Sequence, residues 1–377
     1  MMRRDGVRTA GTKGAMHWAY WNPVAIRFGA GAFGEMGRLI GKRSYALVTY
    51  NQPVFKGVAV RLARVAGDPM VVIDNIDTNP DAGDLVQSCR TFGSAARRPD
   101  VIVALGGGSM IDTAKVLSAS QGDFETVRRH LLDKMPLNTD AIMPIIAVPT
   151  TSGTGSEVTS WATVWDGANA SKYSLAHPRL YPETAVLDPE LIAGAPRGLT
   201  LATGLDALSH ALESIWNVNA NPISATYAVR AAREIMETLP RLLDNLDDID
   251  LRAHQARSSL LAGLAFSNTK TALAHNISYD ITLRQGTVHG IACSFCLPAV
   301  MAWAVGHDPR CDATLRDIFG PDLEAGARRL ASFLEALGVS TDPAAHGVSP
   351  AEWPRLVAKA MQGERGKNFI GPEVRAA

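Results

Sequence analysis

Cysteine is scarce: the chain of 377 residues has four, Cys89, Cys293, Cys296 and Cys311. That is too few for a disulfide scaffold and fits a reducing compartment. Net charge is absent too, since Lys+Arg and Asp+Glu each number 37. No global field draws the chain to nucleic acid or to an acidic membrane, so affinity for an anion must come from a local cluster. No uninterrupted apolar run is long enough to span a bilayer. The opening MMRRDGVRTAGTKGAMHWAYW lacks an apolar core of signal-peptide length. Residues 1–16 read as a disordered tail, and the protein is expected to be cytoplasmic.

What is present is an ordinary globular composition, 46% hydrophobic and 20% charged, in a chain too long for one core. The first half alternates short apolar runs with amphipathic stretches. SYALVTY (44–50), DPMVVID (68–74), DVIVALGGGS (100–109) and MPIIAVPTT (143–151) predict buried strands. VFKGVAVRLARVAG and AGDLVQSCRTFGSAARR between them have helical spacing. Such alternation predicts a parallel α/β sheet with helices on both faces. Beyond about residue 195 the strand signals stop, and stretches such as LATGLDALSHALESIW and EAGARRLASFLEALG are helical in period. The expected division is an α/β domain over 17–195 and an all-helical domain over 196–377, with the boundary near GAPRGLT.

Two glycine clusters compete for a nucleotide. GAGAFG (29–34) satisfies G-x-G-x-x-G, but the strand that follows ends in Tyr50, where an acidic residue would hold the ribose. It reads as a tight strand-to-helix turn. In DVIVALGGGSMIDTAKVL three glycines lead from an apolar strand straight into a helix, with Ser109 placed as N-cap and Asp112 completing a capping box. Glycines admit a ligand to the backbone, and a helix N-terminus offers its free N–H groups to phosphate oxygens. The next loop, PTTSGTGSEVTS (149–160), adds hydroxyls and two glycines at the same sheet edge. Together they form a predicted pyrophosphate cradle.

In GLDALSHALES, Asp206 and His210 stand one helical turn apart beside an apolar stripe. His275 and His289 bracket NISYDITLRQGTV. One carboxylate and three imidazoles suit Fe(II) or Zn(II) better than Mg(II) or Ca(II). The remaining histidines lack spaced partners. Cys293-Ser-Phe-Cys296 forms a C-x-x-C within the apolar IACSFCLPAV and reads as a packed helix. Trp161 and Trp165 lie near the cofactor loop and read as core packing.

The combination of GGGS-x2-D-x-A-K, P-T-T-x-G-T-G-S-E, D-x3-H and H-x13-H, from about Asn22 to Ala299, resembles the iron-containing (group III) alcohol dehydrogenase family. That resemblance implies a Rossmann-like dinucleotide-binding domain facing an all-helical metal domain, an arrangement shared with dehydroquinate synthase, and a homodimer. Carried over, the metal ligands are Asp206, His210, His275 and His289. Gly107, Gly108 and Ser109 meet the pyrophosphate. Thr150, Thr151, Thr154 and Thr159 line the cofactor cleft, with Asn79, Asp112 and Lys172 close by. KYSLAHPRLYPETAVLDPELI and HGIACSFCLPA further look like the phosphonate-metabolism branch, whose members reduce phosphonoacetaldehyde to 2-hydroxyethylphosphonate.

Two positions depart from the family. Tyr279 stands where many members carry a further histidine tied to proton transfer, and a phenol releases its proton less readily. Tyr50 replaces the aspartate that repels a 2′-phosphate, so NADPH is admitted as well as NADH. A phosphonate dianion would need fixed cations. Lys270 and Arg284 flank His275, and Arg365 and Lys367 lie in ERGKNFIG; Arg284, between two ligands, is the favoured substrate contact. The expected activity is metal-dependent reduction of a small aldehyde. Succinic semialdehyde, butyraldehyde and a dehydroquinate synthase-like lyase are the alternatives.

Overall fold

The computed structural model describes residues 17–76, 78–169 and 171–372. The expected tail over 1–16 lies outside the described residues. The N-terminal strands are β1 (Ala25–Phe28), β2 (Tyr45–Val48), β3 (Val71–Ile73), β4 (Val101–Gly106) and β5 (Ile145–Pro149). Between them run α1 (Met36–Ile40), α2 (Pro53–Ala66), α3 (Ala82–Gly93), α4 (Gly108–Ser120) and α5 (Phe124–Asp133). A hairpin of β6 (Trp161–Asp166) and β7 (Ser171–Ala176) follows, then β8 (Thr184–Leu187).

The main sheet is six-stranded and parallel in the order β1-β8-β5-β4-β2-β3. Its strands are apolar throughout because both faces are covered. Ala46, Val48, Ile102, Ala104 and Ala147 join the core on one face. Leu47, Val101, Val103, Ile146 and Val186 join that on the other. From β2 the chain moves outward to β3, and from β4 it moves the opposite way to β5. The direction of winding therefore reverses between β2 and β4, where open α/β sheets bind ligands at the strands' carboxyl ends.

The expected strands over 44–50, 68–74, 100–109 and 143–151 contain β2 to β5. The hairpin and β8 were not foreseen. WATVWD and SKYSLA mix polar and aromatic residues without clean alternation, and TAVL is only four residues long.

After α6 (Pro189–Ile192) the rest is helical: α7 (Arg197–Glu213), α8 (Pro222–Asp244), α9 (Ile249–Thr269), α10 (Leu273–Gln285), α11 (His289–Ser294), α12 (Leu297–Ala304), α13 (Pro309–Phe319), α14 (Leu323–Ala336) and α15 (Trp353–Gln362). From Gly204 to Glu213 every residue of α7 is buried, because the helix packs against α8, α9 and α11 at once. A helix enclosed in this way has no solvated face, so a polar side chain on it must find a partner or a ligand. The two halves meet where Gly155 of the β5 loop rests on Gly263 of α9; a Cβ on Gly155 would fall 2.8 Å from the Gly263 Cα. Among the described residues no helix is long and apolar enough to cross a membrane.

Candidate metal centre and cofactor cleft

The β4–α4 turn confirms close backbone packing but corrects the cap. Gly107 is the N-cap of α4 and no side chain caps it, so Ser109 lies inside the helix and the Ser109–Asp112 capping box does not form. The Ser109 hydroxyl instead accepts from the Asn79 amide at 3.1 Å. Asp112 accepts from the Ser156 hydroxyl at 2.5 Å and from the Thr163 amide at 2.8 Å, tying the helix to the next loop and to β6. A methyl on Gly108 would fall 2.7 Å from Thr154 Oγ1, so the two loops touch over the cleft. Tyr50 lies against the same turn: a methyl on Gly107 would sit 3.5 Å from its hydroxyl.

Lys115, the last residue of the GGGS-x2-D-x-A-K motif, carries a role that the sequence did not suggest. It is fully buried, and its ammonium donates to the Ser156 carbonyl (2.7 Å) and hydroxyl (2.9 Å), Thr159 Oγ1 (3.2 Å) and the Trp161 carbonyl (2.7 Å). It thereby fixes the loop from 156 to 161. Burial pulls its pKa down to about 8. Thr150 is buried, and its amide donates to the Gly106 carbonyl at 3.0 Å, while Thr151 lies over Gly107. These two threonines brace the turn, whereas Thr154, Thr159, Asn79, Gly108, Ser109, Asp112 and Lys172 face a cavity of about 320 Å³. GAGAFG is occupied differently: the Asp188 carboxylate accepts from the Gly31 and Phe33 amides at 3.3 and 3.0 Å, leaving these donors no phosphate to find.

The same cavity reaches Asp206, His210, His275 and His289. Asp206 Oδ1 lies 3.8 Å from His210 Nε2, 3.4 Å from His275 Nε2 and 4.0 Å from His289 Nε2. His210 and His275 stack with ring centroids 4.6 Å apart. The Nδ1 of His210 donates to the Gly153 carbonyl (3.2 Å). The Nδ1 of His275 donates to Glu213 Oε2 (2.5 Å). With Nδ1 so engaged, each Nε2 offers a lone pair toward Asp206. Among the described residues, Asp206 Oδ1 and His275 Nε2 are buried with no hydrogen-bond partner. Unsatisfied buried acceptors facing one point are what a divalent ion resolves, so the donor set fits a borderline metal. Burial lowers the His210 pKa to about 4 and that of His289 to about 3, keeping both neutral and available. Burial works against ionisation of Asp206, and the three imidazoles outweigh it, holding the carboxyl below its usual range.

Two residues here escaped the sequence reading. Glu213, fully buried one turn beyond His210, also accepts from the Ala274 amide at 2.5 Å. It reads in sequence as one more helix charge. Cys293 is not simply packed: its Sγ lies 3.6 Å from His289 Nε2.

The expected substrate cations are redistributed. Arg284 is exposed and lines a separate cavity with Asp280, Glu352 and Lys359. Nine residues after His275 on α10, it is half a turn out of phase with the ligand, so its favoured role is corrected. Lys270 caps α9, is half exposed, pairs at 3.8 Å with Glu364 of the cavity wall, and does not itself line the cavity. Lys367 is exposed. Tyr279, four residues after His275, does face the cavity, with Arg365, Trp161 and Trp165. Lys172 reaches it from β7, its ammonium 4.1 Å from the Tyr279 ring centre and 5.0 Å from that of Trp165.

This architecture, a glycine-rich strand-to-helix turn facing a buried carboxylate and imidazole cluster across one cavity, is matched by known proteins. The model for iron-containing alcohol dehydrogenase matches residues 23–189, and that for the C-terminal part of the Fe-containing alcohol dehydrogenase family matches residues 200–374. The chain belongs to the iron-containing alcohol dehydrogenase family. It is an oxidoreductase of that type, with a divalent metal and a nicotinamide dinucleotide as cofactors. It is 34% identical over 293 residues to phosphonoacetaldehyde reductase of Streptomyces viridochromogenes, covering 72% of this chain and 73% of that one. To NAD-dependent methanol dehydrogenase of Bacillus methanolicus it is 33% identical over 296 residues, 75% of each chain. Sulfoacetaldehyde reductase from Bifidobacterium kashiwanohense, solved in complex with NAD+, superposes with a TM-score of 0.88 at 27% identity, covering 96% of both chains.

Proposed function

We propose that the enzyme reduces phosphonoacetaldehyde to 2-hydroxyethylphosphonate, with Asp206, His210, His275 and His289 holding the metal. The observation that carries the substrate is Arg365. Its Nη1 is buried and has no hydrogen-bond partner among the described residues, and the side chain lines the metal cleft together with Lys172. A buried guanidinium nitrogen without an acceptor is costly unless an anion completes it. Two cations lining one small cavity suit an aldehyde whose far end is a dianion, and the phosphonate and sulfonate relatives point the same way.

When bound, the metal supplies Lewis acidity at the carbonyl and the reduced nicotinamide supplies the hydride. The chain does the rest. Arg365 and Lys172 hold the phosphonate and so fix the aldehyde end. Phe266 stacks on His210 at 4.0 Å and meets Trp161 edge-on at 5.6 Å, an apolar wall that keeps water from the reacting face. Tyr279 holds the proton that the product hydroxyl requires. Burial opposes ionisation of its phenol, but the nearby cations, Lys172 first and Arg365 next, work against burial and the pKa lies below its usual value. The tyrosine that departs from the family pattern is in this way eased toward proton transfer.

The test compares Arg365→Ala with the parent on phosphonoacetaldehyde, succinic semialdehyde and butyraldehyde, following NAD(P)H absorbance. Efficiency on phosphonoacetaldehyde should fall by about 10- to 150-fold, one charge-assisted interaction of about 1.5–3 kcal/mol. Butyraldehyde should change by less than about threefold. Equal losses on both, or a parent enzyme that prefers succinic semialdehyde or butyraldehyde, would overturn the assignment.

A further inference from the structure

Trp161 and Trp165, which read in sequence as core packing, are placed otherwise by the fold. Burial alternates along β6: Ala162 and Val164 pack into the core, while Trp161, Thr163 and Trp165 line the metal cleft. Trp165 is the cross-strand partner of Lys172 in the antiparallel β6–β7 pair, and the Lys172 ammonium lies 5.0 Å from its ring centre. The same ammonium lies 4.1 Å from the ring centre of Tyr279. The arrangement recurs further along β6, with the Arg365 guanidinium carbon 5.9 Å from the Trp161 ring centre. All three separations fall within the roughly 6 Å over which a ring face attracts a cation. Among the described residues no carboxylate pairs with Lys172 or Arg365, and Glu364, next to Arg365 in the chain, pairs with Lys270 instead. Ring faces therefore stand where counter-ions would. A carboxylate that holds a cation also cancels its charge and competes with an incoming anion. A ring face orients the cation and leaves its charge and its N–H donors to a ligand. A phenol at position 279 offers such a face without the positive charge that a histidine there would take on protonation.

We propose that Trp165 is a positioning residue for anion recognition: with the Tyr279 ring it seats the Lys172 ammonium, uncancelled, for the substrate's phosphonate. This rests on the reading given above, that Lys172 and Arg365 hold the phosphonate, and names what aims the first of them. A lysine has a long, flexible stem, and holding it in one place before the anion arrives lowers the cost of binding. The indole, the strongest of the aromatic faces for a cation, does so from a strand whose other face is anchored in the core. Trp165 touches the anion only through Lys172, so its whole effect on anion selectivity should depend on that ammonium.

The test is a double-mutant cycle in the full-length holoenzyme, with Trp165→Leu, Lys172→Met and the pair. The readout is the ratio of kcat/KM for phosphonoacetaldehyde to that for butyraldehyde at saturating NAD(P)H. Trp165→Leu should lower that ratio by about 5- to 30-fold, the range for a cation–π contact withdrawn from water. In the Lys172→Met background the same substitution should move it by less than about twofold. Trp165→Phe, which keeps a ring face, should retain part of what the leucine variant loses. Equal losses from Trp165→Leu in both backgrounds would overturn the proposal and leave the anion site standing, because a merely structural tryptophan costs the same with or without the ammonium. A ratio unmoved by Trp165→Leu, or a phenylalanine variant no better than the leucine one, would overturn it as well. A Lys172→Met enzyme with the parent's ratio would overturn the reading on which the proposal rests, and the proposal with it. Trp165→Gln, which also lacks a ring face, runs the same cycle if the leucine variant fails to fold.

Discussion

Glu213 offers a sharp test of how the metal centre is held. Its carboxylate accepts from His275 Nδ1 at 2.5 Å and from the Ala274 amide at 2.5 Å, with the His275 amide at 3.4 Å, and it is fully sealed from water. Glu213→Gln keeps the volume and one acceptor oxygen but cannot serve both the imidazole and the amides. Whichever donor is abandoned faces an NH2 group, at a cost of about 1–3 kcal/mol for one unsatisfied buried group. Losing the partner behind a ligating imidazole typically weakens metal binding 10- to 100-fold, or about 1.4–2.7 kcal/mol. The assay is competition for zinc against a chromogenic chelator, with the unfolding midpoint of the apo-protein measured in parallel. A folded Glu213→Gln protein that binds zinc within twofold of the parent would refute the reasoning. Glu213→Ala, which removes every acceptor at once, should lose both stability and metal.

Two further outcomes follow from the N-terminal half. Tyr50→Asp places a carboxylate beside the Gly106–Gly107 turn, where a cofactor 2′-phosphate would meet like charge; the ratio of kcat/KM for NADPH to that for NADH should fall by about tenfold or more, and an unchanged ratio would remove Tyr50 from the ribose site. Burial raises the Glu157 pKa to about 7, so the folded state keeps a proton that the unfolded chain loses above about 4.5, and this group's contribution to stability declines as pH rises from about 4.5 to about 7. Glu157→Gln should therefore gain up to about 2–3 kcal/mol over the parent at pH 8 and none at pH 4.5, and parallel unfolding midpoints across that range would contradict it.

The parts of the site legible in sequence are those whose chemistry is local. A glycine run after an apolar strand and a D-x3-H on a helix specify their own geometry through backbone freedom and helical pitch. What stayed hidden depends on contacts between distant segments. Arg365 was one of four candidate cations, with nothing local to single it out until the chain beyond α15 carries it into the cleft, and Lys172 was placed only by resemblance, because it arrives on a hairpin whose strands lack a clean period. Arg284 drew attention through its neighbours in the chain, although helical phase turns it away from His275. Cys293 was masked by apolar neighbours that pack the other sides of α11, while its own face looks toward His289. Glu213 and Lys115 were overlooked because a buried charge is identified only by what surrounds it.

The Gly153 carbonyl belongs to the loop that would wrap the nucleotide phosphates, and it is also the acceptor that orients His210. With His210 on the metal and this loop on the phosphates, as proposed, that one hydrogen bond would link the two sites. A loop shift that improved its grip on phosphate would then re-aim an imidazole, and an ion that tightened on the imidazole would tug the loop in return. Thermodynamic reciprocity would then make the two affinities a single coupling constant read from either end.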